Sequence, residues 1–269
     1  MAYRMIALDI DGTLLNSRKE VDIETEEAIR AAAEAGKTVV FNTGRAVCEL
    51  EDLWMPEVRY AVFSSGAGLY DRQEGRAFRL RPLEEKQVRT ILALAREKDI
   101  MPQIVLADRD VIQASHLRNL EHYHMGIYRP MYEKAMTLVP DIYAFAETCG
   151  EPFLKINLYH AEADERIRTR EQLATEDMEK VFSEVSSLEC SARGIDKGSG
   201  LLGLCEALGM EAADCIAVGD AENDLPMIRA AGLGVAMGNA KPEIQARADR
   251  VVADLDHGGC AEAIRLLLS

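Results

Sequence analysis

The chain has 269 residues, 48% hydrophobic and 29% charged, a composition that fits a soluble globular protein of one large domain or two ordinary ones. Its 46 acidic and 31 basic residues give a net charge of -15. That argues against nucleic acid and anionic membrane as partners, since both require a basic footprint. No apolar run approaches the roughly 18 residues of a membrane span, and MAYRMIALDID reaches its acids too early for a signal peptide, so a cytoplasmic protein is expected. The six cysteines form no C-x-x-C pair and no zinc-like spacing, and are expected to be reduced thiols.

In chain order, Met5 to Leu8 is an unbroken apolar run that reads as a buried parallel strand, and it leads into Asp9, Asp11, Gly12 and Thr13. Residues i and i+2 of an extended chain share a side, so the two carboxylates are expected to face one small volume. Ile23 to Ala35 carries Ala28, Ile29 and Ala32 at helical spacing, with Gly36 as its stop. A second strand, Thr38 to Phe41, ends in Asn42-Thr43-Gly44-Arg45, and the stretch onward to Trp54 is predicted helical. Thr43 would then face a helix N-terminus, a position that suits an anion. Tyr60 to Phe63 is a third strand, and SSGAGLYD after it reads as a small-residue turn.

The character then changes. A helix is predicted from Glu84 to Lys98, short strands at Gln103 to Ala107 and Val111 to Ala114, and a His- and Tyr-rich loop region from His116 to Tyr132. A strand at Phe153 to Tyr159, a helix at Glu162 to Ala174, and β-like runs at Val181 to Val185 and Leu188 to Ala192 follow. The strand-then-glycine pattern is missing here, so residues 83–190 read as an inserted α+β module and residues 1–82 with 191–269 as the core domain. From Gly194 the alternation resumes: a helix opened by Asp196 and Lys197 through Leu208, a strand Asp214 to Val218 ending in GDAENDLPM, a helix Leu225 to Ala231 and a strand Leu233 to Ala236. A helix Pro242 to Ala248, a last strand Arg250 to Ala253 and a helix His257 to Leu268 close the chain. The core is therefore predicted as an α/β, doubly wound, Rossmann-like parallel sheet.

In such a sheet the ligand lies beyond the carboxyl ends of the strands. Asp9, Asp11, Thr43, Asp220, Asn223 and Asp224 all follow predicted strands and Lys197 opens a helix, so these residues are expected at one edge. Three or four carboxylates together repel unless they share a divalent cation, and oxygen-only donors suit Mg2+. Thr43 with its neighbouring amides and the Lys197 ammonium would grip phosphate oxygens. These are the parts that phosphoryl transfer through an aspartyl-phosphate requires.

The chain resembles the haloacid dehalogenase superfamily phosphatases of the Cof type, with the larger α/β cap between the second and third motifs. DIDGT is similar to the first motif, NTGR to the second, DKG to the lysine motif and GDAENDLPM to the fourth. Thr43 follows Asp11 by only 32 residues, which leaves no room for the smaller helical cap. The resemblance implies Asp9 as nucleophile and metal ligand, and Asp11 as acid and then base, its carbonyl on the metal. It implies Asp220 as a further ligand and Asp224 in support of the metal, directly or through water. Thr43, Gly44, Lys197 and Asn223, with the Ile10 and Asp11 amides, would hold the phosphate. The implied activity is Mg2+-dependent hydrolysis of small phosphorylated metabolites, sugar phosphates foremost; a phosphosugar mutase, or a non-enzymatic phospho-receiver or metabolite sensor, are the alternatives. Where relatives usually carry Asn-Gly-Ala the chain reads Ser65-Gly66-Ala67, which bears on substrate preference, and Asp196 stands where a small polar residue is common. His122, Tyr123, His124, Tyr128, Arg129 and Lys155 are the cap residues that could meet substrate. Oligomeric state is not legible.

Overall fold

A computed structural model describes residues 3–268 and divides the chain into two compact units. Unit 1 comprises residues 1–44, 53–79 and 196–269, and unit 2 residues 45–52 and 80–195. In chain order, unit 1 begins with β1 (Met5–Leu8), α1 (Ile23–Glu34), β2 (Thr38–Asn42), β3 (Tyr60–Phe63), β4 (Gly68–Asp71) and β5 (Arg76–Phe78). Unit 2 then supplies α2 (Glu85–Arg96), β6 (Ile100–Val105), β7 (Asp110–Gln113), α3 (Ala114–Arg118), α4 (Arg129–Ala135) and β8 (Met136–Val139). It continues with α5 (Ile142–Thr148), β9 (Lys155–His160), α6 (Glu165–Gln172), β10 (Met178–Val181) and β11 (Ser187–Ala192). Unit 1 resumes with α7 (Lys197–Leu208), β12 (Cys215–Gly219), α8 (Leu225–Ala230), β13 (Leu233–Ala236), α9 (Pro242–Gln245), β14 (Arg250–Val251) and α10 (Gly259–Leu266).

The unit 1 sheet runs β14-β13-β12-β1-β2-β3-β4-β5. β1 is wholly buried and pairs in parallel with β2 on one side and β12 on the other, as its unbroken apolar run predicts. Met5, Ala7, Val40, Val62, Cys215 and Ala217 pack on one face against Leu201, Leu204 and Cys205 of α7 and Met227 of α8. α1 starts where the Asp22 carboxylate caps the Thr25 amide (2.8 Å) and packs on α10. The sheet is not wholly parallel: GLYD, read from sequence as a turn, is the antiparallel strand β4, and β5 extends that edge.

The unit 2 sheet, β10-β11-β9-β6-β7-β8, is antiparallel except for β7 beside β8. Its apolar face, with Ile104, Val111, Ile156, Leu158, Leu188 and Cys190, is closed by Ile91, Leu92 and Ala95 of α2 and Ile142 of α5. The region expected to be loop is ordered instead, as α3, two 3-10 turns and α4, because Leu120, Tyr123, Met125 and Tyr132 bury against Met101, Ile112 and Tyr159. β8 and α5 had no counterpart in the sequence reading.

Candidate active site

Three neighbouring strands of unit 1 end at the site: β1 before Asp9, β2 before Thr43, and β12 before Asp220. At the end of β1 the chain turns at once. The Ile10 carbonyl accepts from the amides of Leu14 (3.1 Å) and Leu15 (3.0 Å), and Gly12 adopts φ +88°, where an added Cβ would collide with the Asp220 carboxylate. Because of that turn the strand does not continue through Asp11. Asp9 is buried, whereas the Asp11 carboxylate, 40% exposed, pairs with Lys19 Nζ (3.2 Å). Strand alternation thus ends before Asp11, whose charge still bears on Asp220.

The centre of the site is the Lys197 ammonium. Its Nζ donates to Asp9 Oδ1 (2.5 Å) and to Asp224 Oδ1 (2.6 Å), and all three side chains are at most 8% exposed. The other Asp224 oxygen, Oδ2, accepts from the amides of Asp220 and Ala221 (2.9 Å each), so one carboxylate both pairs the lysine and fixes the turn after β12. Asp220 in turn accepts from the Thr13 hydroxyl (3.3 Å). Asn239, which the sequence reading passed over, donates to the Gly12 carbonyl (2.8 Å) and lies 3.4 Å from Asp220 Oδ2.

Lys197 is placed by its helix. Asp196 is the N-cap of α7, its carboxylate accepting from the Ser199 amide (2.7 Å) while its own amide donates to the Ser199 hydroxyl (3.0 Å). The acid beside the lysine is thus accounted for as a cap. Asn42, given no role of its own in the sequence reading, is fully buried and donates from Nδ2 to the Lys197 carbonyl (2.9 Å), tying the end of β2 to the start of α7. Thr43 is buried, its amide bonded to the Val62 carbonyl and its carbonyl to the Ser65 amide (2.9 Å each). No α-helix follows it: residues Val47–Leu53 form a 3-10 helix, so the expected α-helix N-terminus is absent. Ser64 and Ser65 take positive φ (49° and 57°) in the turn after β3, a conformation that favours Asn or Gly over Ser. Asn223, half-buried, sits on the one-turn 3-10 helix Glu222–Asp224, and Gly44 is half-buried beside Ser65.

Charge in this cluster is unbalanced. Carboxylate oxygens of Asp9, Asp220 and Asp224 all lie within 4.8 Å of one another. Burial, then the charge of Asp224, pushes the Asp9 carboxyl up to about 8, and the same two causes push Asp220 up to about 6. Burial works against the Lys197 ammonium, but Asp224 and Asp9 outweigh it and hold its pKa above the usual lysine range. With all three carboxyls ionised, one ammonium leaves a deficit of two positive charges, and the donors are all oxygen. That set fits a hard divalent cation.

The cap residues singled out from sequence are engaged within unit 2. His122 and Tyr123 share Asp99 (2.7 and 3.0 Å), His124 meets the Ala161 carbonyl (2.9 Å), Tyr128 bonds Glu184 (2.6 Å) and Arg129 pairs with Glu121 (2.6 Å). Lys155 is neither solvent-exposed nor alone: it is 3% exposed and 3.0 Å from Glu189.

Comparison with known proteins shows the family. The profile of the haloacid dehalogenase-like hydrolases matches residues 6–264. The phosphatase YwpJ of Bacillus subtilis is 30% identical over 98% of this chain and 100% of its own. The phosphoglycolate phosphatase of Methanothermobacter thermautotrophicus is 27% identical over 97% of both chains. A solved haloacid dehalogenase-like hydrolase from Bacteroides thetaiotaomicron matches with a TM-score of 0.84 at 28% identity over 98% of both chains. No helix among the described residues is long and apolar enough to cross a membrane. With three of its motifs at the ends of neighbouring strands and the lysine motif at the start of α7, the chain belongs to the haloacid dehalogenase-like hydrolase family, among the Cof-type phosphatases, and is a phosphoric monoester hydrolase.

Proposed function

We propose that the protein is a Mg2+-dependent phosphatase of small phosphorylated metabolites, sugar phosphates being the leading class, and that it works in the cytoplasm through an aspartyl-phosphate on Asp9. The observation that carries this reading is the Lys197 ammonium held between Asp9 and Asp224, with Asp220 closing a carboxylate triad that lacks two positive charges. Asp9, Asp220 and Asp224, with the Asp11 carbonyl, would hold the cation. Mg2+ there would neutralise the excess carboxylate charge and draw electron density from the phosphoryl oxygens.

Asp9 attacks phosphorus through a carboxylate oxygen as the bond from phosphorus to the substrate alcohol breaks, and the Asp11 carboxyl gives its proton to the departing alkoxide. Asp11, half-exposed and paired with Lys19, would serve that proton. In the second half Asp11 takes a proton from water, the resulting hydroxide attacks phosphorus, and inorganic phosphate leaves as Asp9 regains its carboxylate. Lys197, the Thr43 hydroxyl, Asn223 and the amides at Ile10, Asp11 and Gly44 bind the phosphoryl oxygens through both halves. The high Lys197 pKa keeps the ammonium charged at any working pH.

The deciding test is phosphate release from p-nitrophenyl phosphate with Mg2+ and with EDTA, for the native chain and for Asp9→Asn. Turnover that requires Mg2+ and falls to background in the variant is expected. Retained turnover in Asp9→Asn would remove the nucleophile, and turnover in EDTA would remove the metal.

A further inference from the structure

The end of β2 carries an amide that packing alone does not require. Asn42 is the last residue of the strand and shares a face with Val40, which packs among Leu201 and Leu204 of α7. It is fully buried, and its Nδ2 donates to the Lys197 carbonyl (2.9 Å). As the first residue of α7, Lys197 also presents that carbonyl to its own helix, so the carbonyl has a partner with or without Asn42. Asn42 Oδ1 is buried and meets no donor among the described residues. An unmet buried acceptor costs more than one neutral hydrogen bond contributes, so the amide lowers stability relative to an apolar side chain. A residue that costs stability on a closed strand face is explained by what it holds.

What it holds is the start of the helix that carries the lysine. The first turn of α7 is built for close backbone approach: a Cβ on Gly198 would collide with the Pro226 carbonyl, one on Gly200 with Gly66, and one on Gly66 with the Asp196 carbonyl. These contacts set how near α7 comes to α8 and to the turn after β3, and none of them comes from β2. The Asn42 bond does. Thr43 is the next residue along, its amide fixed on the Val62 carbonyl and its carbonyl on the Ser65 amide (2.9 Å each). One side chain therefore joins the strand end that bears Thr43 to the residue whose Nζ reaches Asp9 (2.5 Å) and Asp224 (2.6 Å).

We propose that Asn42 is a positioning residue for the reaction: through the Lys197 carbonyl it sets where the Lys197 ammonium stands relative to Thr43 and Asp9, at a cost in stability. That the ammonium and Thr43 act on a phosphoryl group rests on the phosphatase reading.

Asn42→Val removes the amide and suits a strand. With p-nitrophenyl phosphate and Mg2+, kcat should fall at least about tenfold while KM stays within about twofold, because a shifted ammonium is felt most in the transition state. The melting temperature should be unchanged or higher, the opposite of what loss of a purely structural bond gives. Hydrogen exchange read by mass spectrometry should be at least about fivefold faster over residues 197–201, where the helix loses its tether. The proposal is overturned if kcat is unchanged, if kcat and melting temperature fall together, or if exchange over residues 197–201 stays native. Should the native chain release no phosphate, the phosphatase reading fails and exchange alone decides whether Asn42 holds the start of α7. Should Asn42→Val not fold, Asn42→Ser, no larger than the native residue, decides by kcat and exchange.

Discussion

In unit 1 the buried carboxylates of Asp9 and Asp224, with half-buried Asp220 beside them, gather round one ammonium, whereas in unit 2 Asp110 is buried against the neutral amide of Gln103 and His160 against a carbonyl and a hydroxyl. The contrast shows two ways of keeping an ionisable group out of water. One retains the charge and supplies a counter-charge, which leaves a strong local field for chemistry. The other lets the group go neutral and asks only for hydrogen bonds, which suits recognition.

The strongest way to break the contrast is to remove the counter-charge. Lys197→Met should cost about 3–5 kcal/mol of stability, because it leaves buried carboxylates unpaired. It should also lower phosphate release by about 10²–10³-fold, as expected for losing a fixed electrostatic donor. Thermal melting and a steady-state assay read the two effects; an unchanged melting temperature would mean that the ammonium does not compensate the acids.

A smaller effect sharpens the unit 2 side. Burial holds the His160 imidazole below the ordinary histidine pKa, while its Nδ1 meets the Ser186 carbonyl (2.8 Å) and its Nε2 the Thr169 hydroxyl (2.9 Å). The folded state therefore binds that proton less readily than the unfolded chain. His160 contributes stability that is present above about pH 6.5 and is lost as pH falls through its folded pKa. Melting temperature should drop on acidification from pH 7 to pH 5, at about 2–4 °C per kcal/mol for chains near this size, and His160→Gln should flatten the profile. An identical slope in the variant would show that another group carries it.

The smallest expected effect lies at Ser65, whose φ of 57° is costly for a serine. Ser65→Asn, the residue usual in relatives, should raise stability by up to about 1 kcal/mol, since Asn tolerates that region. A lower melting temperature would show that the serine is held there by its contacts rather than in spite of its backbone.

Much of this was legible in the sequence, for reasons that can be named. Asp9, Thr43, Asp220 and Lys197 were placed because each closes or opens an element whose apolar run is unambiguous, as in Met5–Leu8. Strand alternation is not what places Asp11, because the strand stops before the turn that Gly12 permits. The antiparallel strand β4 was missed because Gly68 and Asp71 are turn residues by composition, and only pairing with β3 makes GLYD a strand. Asn42 and Asn239 leave no periodic signal: each donates to a backbone carbonyl distant in sequence. The His- and Tyr-rich stretch looked like loop because its apolar residues, Leu120, Tyr123, Met125 and Tyr132, follow no single period and are gathered by short turns.

The position of β1 bears on how the molecule is made. It lies between β2, complete by residue 42, and β12, which begins only at Cys215. As the chain leaves the ribosome, one edge of β1 stays open while most of unit 2, a nearly continuous segment, is already synthesised. Asp9 therefore waits about 190 residues for its lysine. Assembly of the site therefore needs a long-range contact made late in synthesis, so a chain truncated before α7 would carry the nucleophile and the second motif without the charge that makes them tolerable side by side.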